Sequence, residues 1–346
     1  VTAIEAPRGG RPVEADVHTG PLLAVEHARI EFHPRRGFFG SVRVVALSDV
    51  SLELQRGETL AVAGESGSGK TTLGRSTLGL VPLSGGRIIF DGQDLSRLEG
   101  DAKRAFRARA QAVFQDPYGS LSPFMRVFDL VEEPLLVHGV DDRAEREARV
   151  NAALELVKLT PLDRYTRRFP HTLSGGQRQR INIARAMVLR PEYVVLDEPV
   201  SMIDASSRAE ILSLLREIQL SSSLTFLYIT HDLASARHFA DRIAILYAGR
   251  IVELAGAQEL VDNPLHPYAQ ALLAAVPEPD PSNRTRLRPV VGGEPPIPTQ
   301  IPAGCPFHTR CPVAVAGRSE TIEPPLIEVS AGHLVACHRY PDPLPG

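Results

Sequence analysis

Two kinds of hydrophobic pattern organise this chain. Over residues 22–32 and again over 42–54, apolar positions recur in short β-rich runs separated by the basic, glycine-containing stretch 34–40. These runs predict antiparallel strands joined by a loop. Residues 59–63 (TLAVA) predict a short strand, a glycine-rich loop follows, 70–80 reads as a helix, and 87–90 as a further strand. The segment 102–188 is mostly helical in pattern, apart from a short apolar run at 112–115. Its period is clearest over 141–159, where Ala144, Val150, Ala153, Leu154, Leu156 and Val157 stand among charged neighbours. Residues 193–196 and 224–230 are unbroken apolar runs, which suits parallel strands covered on both faces. Between them Ile211, Leu214, Leu215 and Ile218 give one helix a buried stripe. The order strand, helix, strand predicts a right-handed crossover and an α/β core.

The pattern fades at both ends. Residues 1–20 mix Pro, Gly, Arg and Glu without period and read as a flexible tail. More than half of the 29 prolines fall in 277–346, so regular core structure is not expected to continue there. The expected organisation is a tail (1–20), a folded core (21–276) with a helical subdomain at about 116–188, and a Pro-rich extension (277–346). Hydrophobic residues at 43% and charged residues at 23% exclude a disordered chain. A net charge of −3 offers no broad positive field for nucleic acid, so no nucleic-acid partner is expected. No run of about 18 apolar residues occurs and the start has no signal-peptide pattern, so a soluble chain made in the cytoplasm is expected.

Three segments carry chemistry. Gly64-Glu65-Ser66-Gly67-Ser68-Gly69-Lys70-Thr71 fits G-x-x-x-x-G-K-[ST] and lies between a predicted strand and a predicted helix, as that motif requires. Glycines let backbone N–H groups turn toward phosphate oxygens, and the helix start adds its positive end. Lys70 suits the β- and γ-phosphates, and the Thr71 hydroxyl suits Mg²⁺; Thr72 follows at the same helix start. The apolar strand Val194-Val195-Leu196 runs into Asp197 and Glu198. Asp197 suits Mg²⁺, and Glu198 suits accepting a proton from a water that attacks phosphorus. Ser174-Gly175-Gly176-Gln177 has the spacing of a capping box ahead of a helical run. Its bare N–H groups suit an anion, and it is equally an ordinary capped helix.

Together these motifs, with the Leu173-Ser174-Gly175-Gly176-Gln177 signature, resemble the nucleotide-binding subunit of an ATP-binding cassette (ABC) transporter over about residues 22–275. The resemblance implies a P-loop ATPase α/β core with an antiparallel β subdomain and an inserted helical subdomain. It implies ATP and Mg²⁺ as cofactors, and two chains sandwiching two ATP molecules, with Ser174–Gln177 reaching the γ-phosphate held by the mate. It also implies roles for Gln115, which senses Mg²⁺ or water and couples to the membrane subunits, for Asp204 in Met202-Ile203-Asp204, which serves communication, and for His231, which reaches the γ-phosphate and holds the attacking water. Phe39, or its neighbour Phe38, is the expected ring stacked on adenine, since 41–47 holds no aromatic residue.

Gln115-Asp116-Pro117-Tyr118-Gly119-Ser120-Leu121-Ser122-Pro123 and His266-Pro267-Tyr268-Ala269-Gln270 are similar to the oligopeptide/dipeptide importer branch. That branch implies a second, paralogous cassette, two membrane permeases, a peptide-binding protein and a peripheral place on the cytoplasmic face of the membrane. Soluble ABC ATPases acting in DNA repair or on ribosomes are the rival class, and nickel, opines or glycans are alternative cargo. Cys305, Cys311 and Cys337 lie in a segment similar to that branch's extension, in which some relatives carry a fourth cysteine and a [4Fe-4S] cluster. Here that fourth position is Arg318. The three cysteines are read either as ligands of an iron–sulfur or metal site completed by His308, His333 or His338, or as reduced structural thiols.

Overall fold

The computed structural model describes residues 20–36, 40–275 and 292–340. The expected tail lies outside the described residues but for Gly20, as do Phe38 and Phe39. The chain begins with β1 (Leu23–Phe32), the short pair β2 (Arg35–Arg36) and β3 (Gly40–Ser41), and β4 (Val44–Leu54). Next come β5 (Thr59–Ala63), α1 (Lys70–Thr77), β6 (Gly85–Phe90), β7 (Gln93–Asp94), α2 (Gly100–Arg109) and β8 (Ala110–Val113). Three helices follow, α3 (Val127–Val137), α4 (Arg143–Leu156) and α5 (Gly175–Met187), before β9 (Tyr193–Asp197), α6 (Ala205–Ser222) and β10 (Thr225–Thr230). The described chain closes with α7 (Leu233–Phe239), β11 (Arg242–Tyr247), β12 (Arg250–Gly256), α8 (Ala257–Asp262), α9 (Pro267–Ala275), β13 (Ile327–Ser330) and β14 (His333–Val335).

The main sheet has the order β13-β14-β12-β11-β5-β10-β9-β8, and its five strands β11, β5, β10, β9 and β8 are parallel. Their unbroken apolar runs split by alternation into two cores. Ala61, Val194, Leu196, Phe226 and Tyr228 face a core built largely by the helices that follow α2. Leu60, Val62, Val195, Leu227 and Ile229 face the other, shared with α1 and the antiparallel sheet β4-β1-β6-β7. Each such fully buried Leu, Ile or Val contributes about 1.5–3 kcal/mol relative to exposure. The P-loop α/β fold with an antiparallel β subdomain and helical insertions is therefore present.

Parallel strands put their carboxyl ends on one edge, where ligands of open α/β sheets bind. The residues just beyond β5, β8, β9 and β10 are Gly64, Phe114, Glu198 and His231, so segments far apart in sequence emerge side by side.

Two expectations are corrected. The helix after the glycine-rich loop ends at Thr77, three residues short of position 80, with Leu78 as its cap. The Pro-rich extension does continue regular structure: β14 pairs antiparallel with β12 through Glu253↔Val335 and Leu254↔Leu334, and β13 pairs with β14. A hairpin from the extension thus borders the core sheet and covers the edge of β12.

Candidate active site

The loop 64–69 curls because two of its glycines sit where a side chain has no room. Gly69 has φ +107, and a Cβ there would lie 2.4 Å from the Ala46 carbonyl oxygen; a Cβ on Gly64 would lie 2.2 Å from that of Leu246. The curl wraps around Lys70, whose Nζ donates to the carbonyls of Gly64 (2.7 Å) and Glu65 (2.9 Å). Only 6% of Lys70 is exposed. Burial pushes its pKa below the ordinary lysine value, and the nearby carboxylates of Glu198, Asp197 and Glu65 oppose that shift.

At the end of β9 two carboxylates take different partners. The Thr71 hydroxyl donates to Asp197 Oδ1 at 3.1 Å, and burial raises the Asp197 pKa against that hydrogen bond. Glu198 is held from two sides: Gln115 Nε2 donates to Oε2 at 3.1 Å, and His231 Nδ1 lies 3.1 Å from Oε1. Its backbone is left-handed (φ 47), unusual for a residue other than Gly, and its N–H donates to the Ile229 carbonyl at 3.0 Å. That β9-to-β10 contact fixes the turn that aims Glu198 at His231.

Lys70, Thr71, Gln115, Glu198 and His231 share one cavity of about 650 Å³, lined also by Ser66, Gly67, Gly69, Thr72, Val44, Ala46 and Pro298, with Asp197 reaching it through its hydrogen bond to Thr71. Thr71 and Asp197 present two hard oxygen donors side by side, a set that suits Mg²⁺, which takes one or two carboxylates and completes its shell with water and phosphate. No group of three or more His, Cys, Asp or Glu side chains able to hold a metal ion occurs among the described residues.

Other expected residues lie elsewhere. Ser174 and Gln177 form the capping box of α5, with Ser174 N–H donating to Gln177 Oε1 (3.1 Å) and Gln177 N–H to Ser174 Oγ (3.3 Å). Neither they nor Gly175 and Gly176 line the Lys70 cavity. Asp204 caps α6 by accepting from Ser207 N–H at 2.9 Å and the Ser206 hydroxyl at 2.6 Å; these bonds hold its carboxyl down at about 2. The Glu65 side chain turns to Arg310 of the extension.

Phe32 escaped the sequence reading. Its cross-strand neighbour is Val44, which lines the cavity, and 41% of this large apolar residue remains exposed. The available signal was an aromatic residue ending a strand just before the loop.

Cys305 is buried, Cys311 and Cys337 are half-buried, and burial pushes all three thiols above their ordinary pKa. The His308 and His338 rings lie within hydrogen-bond distance of backbone carbonyls, and His333 meets the Glu253 carboxylate. Among the described residues these thiols and imidazoles form no group of three or more able to hold a metal ion, so the structure offers no support for an iron–sulfur cluster.

A glycine-rich loop curled around a buried lysine, a hydroxyl–carboxylate pair and a bracketed glutamate on the carboxyl edge of a parallel sheet have the arrangement of a P-loop nucleoside triphosphatase. The family model for ABC transporters matches residues 47–201, and that for the oligopeptide/dipeptide transporter C-terminal region matches 252–317. A peptide import ATP-binding protein of Brucella ovis is 45% identical over 321 residues, covering 92% of this chain and 98% of that protein. The oligopeptide transport ATP-binding protein AppF of Bacillus subtilis is 44% identical over 325 residues, covering 92% and 97%. Among solved structures, cbiO1 of Clostridium perfringens, part of the cbiONQ transporter complex, superposes with a TM-score of 0.61 at 27% identity, covering 70% of this chain and 92% of its own. The cassette MJ0796, dimeric in a post-hydrolysis state with ADP and Pi, gives 0.59 at 28% identity over 68% of this chain and 98% of its own. The chain belongs to the ABC transporter ATP-binding subunits, in the oligopeptide/dipeptide importer branch. It is an ATPase that uses ATP with Mg²⁺.

Proposed function

We propose that this chain is one of two ATPase subunits that power uptake of oligopeptides or dipeptides, working with two permeases and a peptide-binding protein from the cytoplasmic face of the membrane. No described helix is long and apolar enough to cross a membrane, which fits a peripheral subunit. The observation that carries the reading is the grip of Gln115 and His231 on Glu198 inside the cavity that holds Lys70 and Thr71.

The loop 64–69 and Lys70 bind the triphosphate, and Lys70 offsets charge on the transferring group. Thr71 and Asp197 hold Mg²⁺, which when bound neutralises phosphate oxygens. Glu198 accepts the proton of the attacking water, while Gln115 and His231 fix its two oxygens so that one lone pair faces the water. Phe32 offers a platform for the base beside Val44. Ser174 to Gln177, away from this cavity, serve the nucleotide of the opposing cassette, and Asp204 keeps the following helix in register. That the similar cassette MJ0796 is dimeric with ADP and Pi bound supports a pairing of two cassettes.

The test is reconstitution with the cognate cassette and permeases in liposomes. ATP hydrolysis stimulated by the peptide-loaded binding protein, with peptide accumulation, supports the reading. Hydrolysis indifferent to peptide and permeases overturns it.

A further inference from the structure

The extension reaches the phosphate loop itself. Residues 304–311 form a tight turn in which His308 N–H donates to the Cys305 carbonyl and Arg310 N–H to that of Phe307, each at 3.0 Å. Phe307, 1% exposed, plugs this turn into the core against Tyr247 (ring centroids 5.2 Å, edge-on), Tyr268 (5.5 Å) and His266 (5.6 Å). The plug delivers the Arg310 guanidinium to Glu65, 245 residues earlier in the chain. Its two terminal nitrogens donate separately to the two carboxylate oxygens, at 3.0 and 3.2 Å, in the planar fork that Arg alone supplies. The Arg310 side chain is only 8% exposed and that of Glu65 31%, so the guanidinium is shielded from water while the carboxylate is partly screened.

Glu65 is thereby gripped at three points. Its side chain meets Arg310, its N–H donates to the Tyr268 hydroxyl at 2.8 Å, and its carbonyl accepts from Lys70 Nζ at 2.9 Å. One residue therefore links Arg310 to the lysine that faces the phosphates. The extension reaches the cavity wall itself where Val45 N–H donates to the Pro298 carbonyl at 3.0 Å and Pro298 lines the cavity. Anchorage alone needs neither contact, since the Phe307 plug and the β14 ladder already hold the extension to the core.

We propose that Arg310 is a positioning residue of the ATP site: its fork on Glu65 holds the phosphate loop in its curled form and neutralises a carboxylate carried by that loop. The extension is then a working part of nucleotide binding. This inference rests on the ATPase reading above.

Neutralisation sets the sign of the test. Arg310→Met leaves Glu65 charged beside the loop, and raises the KM for ATP about tenfold in the assembled transporter while kcat changes less than about threefold. Adding Glu65→Gln to Arg310→Met removes the stranded charge and recovers most of that loss, a non-additivity that a merely structural Arg310 does not produce. Arg310→Lys keeps the charge without the fork, giving an intermediate KM in a chain that stays folded should the methionine variant not. A KM unchanged in Arg310→Met, or a double variant no better than the single one, overturns the proposal. So does Arg310→Lys matching the wild type. Binding of a fluorescent ATP analogue to the same full-length chains separates the two readings. Wild-type binding without turnover counts against the proposed function alone, whereas Arg310→Met binding the analogue as tightly as wild type overturns the role of Arg310.

Discussion

His231 Nδ1 and Glu198 Oε1 lie 3.1 Å apart although 33 positions separate them, because β9 and β10 are parallel neighbours and end together. Gln115, arriving from beyond β8 on the other side of β9, takes the second oxygen of the same carboxylate. His231→Ala leaves that carboxylate with one fixed oxygen. Steady-state phosphate release should fall about 10- to 100-fold in kcat, with the KM for ATP little changed, since the imidazole positions the proton acceptor more than it binds nucleotide.

Lys70 is the opposite case. Its ammonium is tied to the start of the loop it serves, so Lys70→Ala removes a buried charge and lets the curl relax. Titration with a fluorescent ATP analogue should show affinity reduced about hundredfold or more. Near-normal affinity would contradict phosphate binding by this loop.

Much of this arrangement is legible from local pattern. The both-face burial of β9 and β10, the G-x-x-x-x-G-K-[ST] loop and the Ser174–Gln177 capping box each depend on residues a few positions apart, where spacing alone fixes geometry. The extension hairpin is not legible in that way. Only Ile327 of β13 is buried, so the strand shows no alternation, and β14 joins the core through β12, about 80 residues back in the chain. The Arg310–Glu65 fork leaves no local trace either, for the plug that aims it depends on Tyr247 and Tyr268 from other elements. Phe32 reads as one more strand residue until it is seen to pair with Val44, a residue of the cavity wall.

Ser174 combines two roles that substitution can separate. Ser174→Asp keeps an acceptor for the Gln177 N–H and so keeps the start of α5. It also sets a negative charge where the γ-phosphate of the opposing cassette is expected. Thermal stability should change little, while hydrolysis by the assembled pair is lost. Full hydrolysis with an intact fold would contradict the cross-dimer contact.

His266 predicts an acid sensitivity. It is wholly buried, its Nδ1 accepts from Tyr268 N–H at 3.0 Å, and burial pushes its pKa from 6.5 down to about 3. Between those values the unfolded chain binds a proton that the folded chain refuses, so stability falls as pH drops from about 6.5 toward about 3. Glu253, which accepts from His266 N–H at 2.8 Å and meets the His333 ring, has its pKa raised by burial and acts with the opposite sign. Comparing variant with wild type isolates the histidine. Melting temperatures from pH 7 to 5 should fall less steeply in His266→Asn, whose amide oxygen can replace Nδ1 without taking a proton.

Glu198→Gln removes the proton acceptor while leaving Lys70, Thr71 and Asp197 in place. With the cognate cassette and Mg²⁺, the variant should bind ATP as tightly as wild type, with phosphate release reduced at least about hundredfold. Phosphate release at the wild-type rate would contradict Glu198 as the group that activates water.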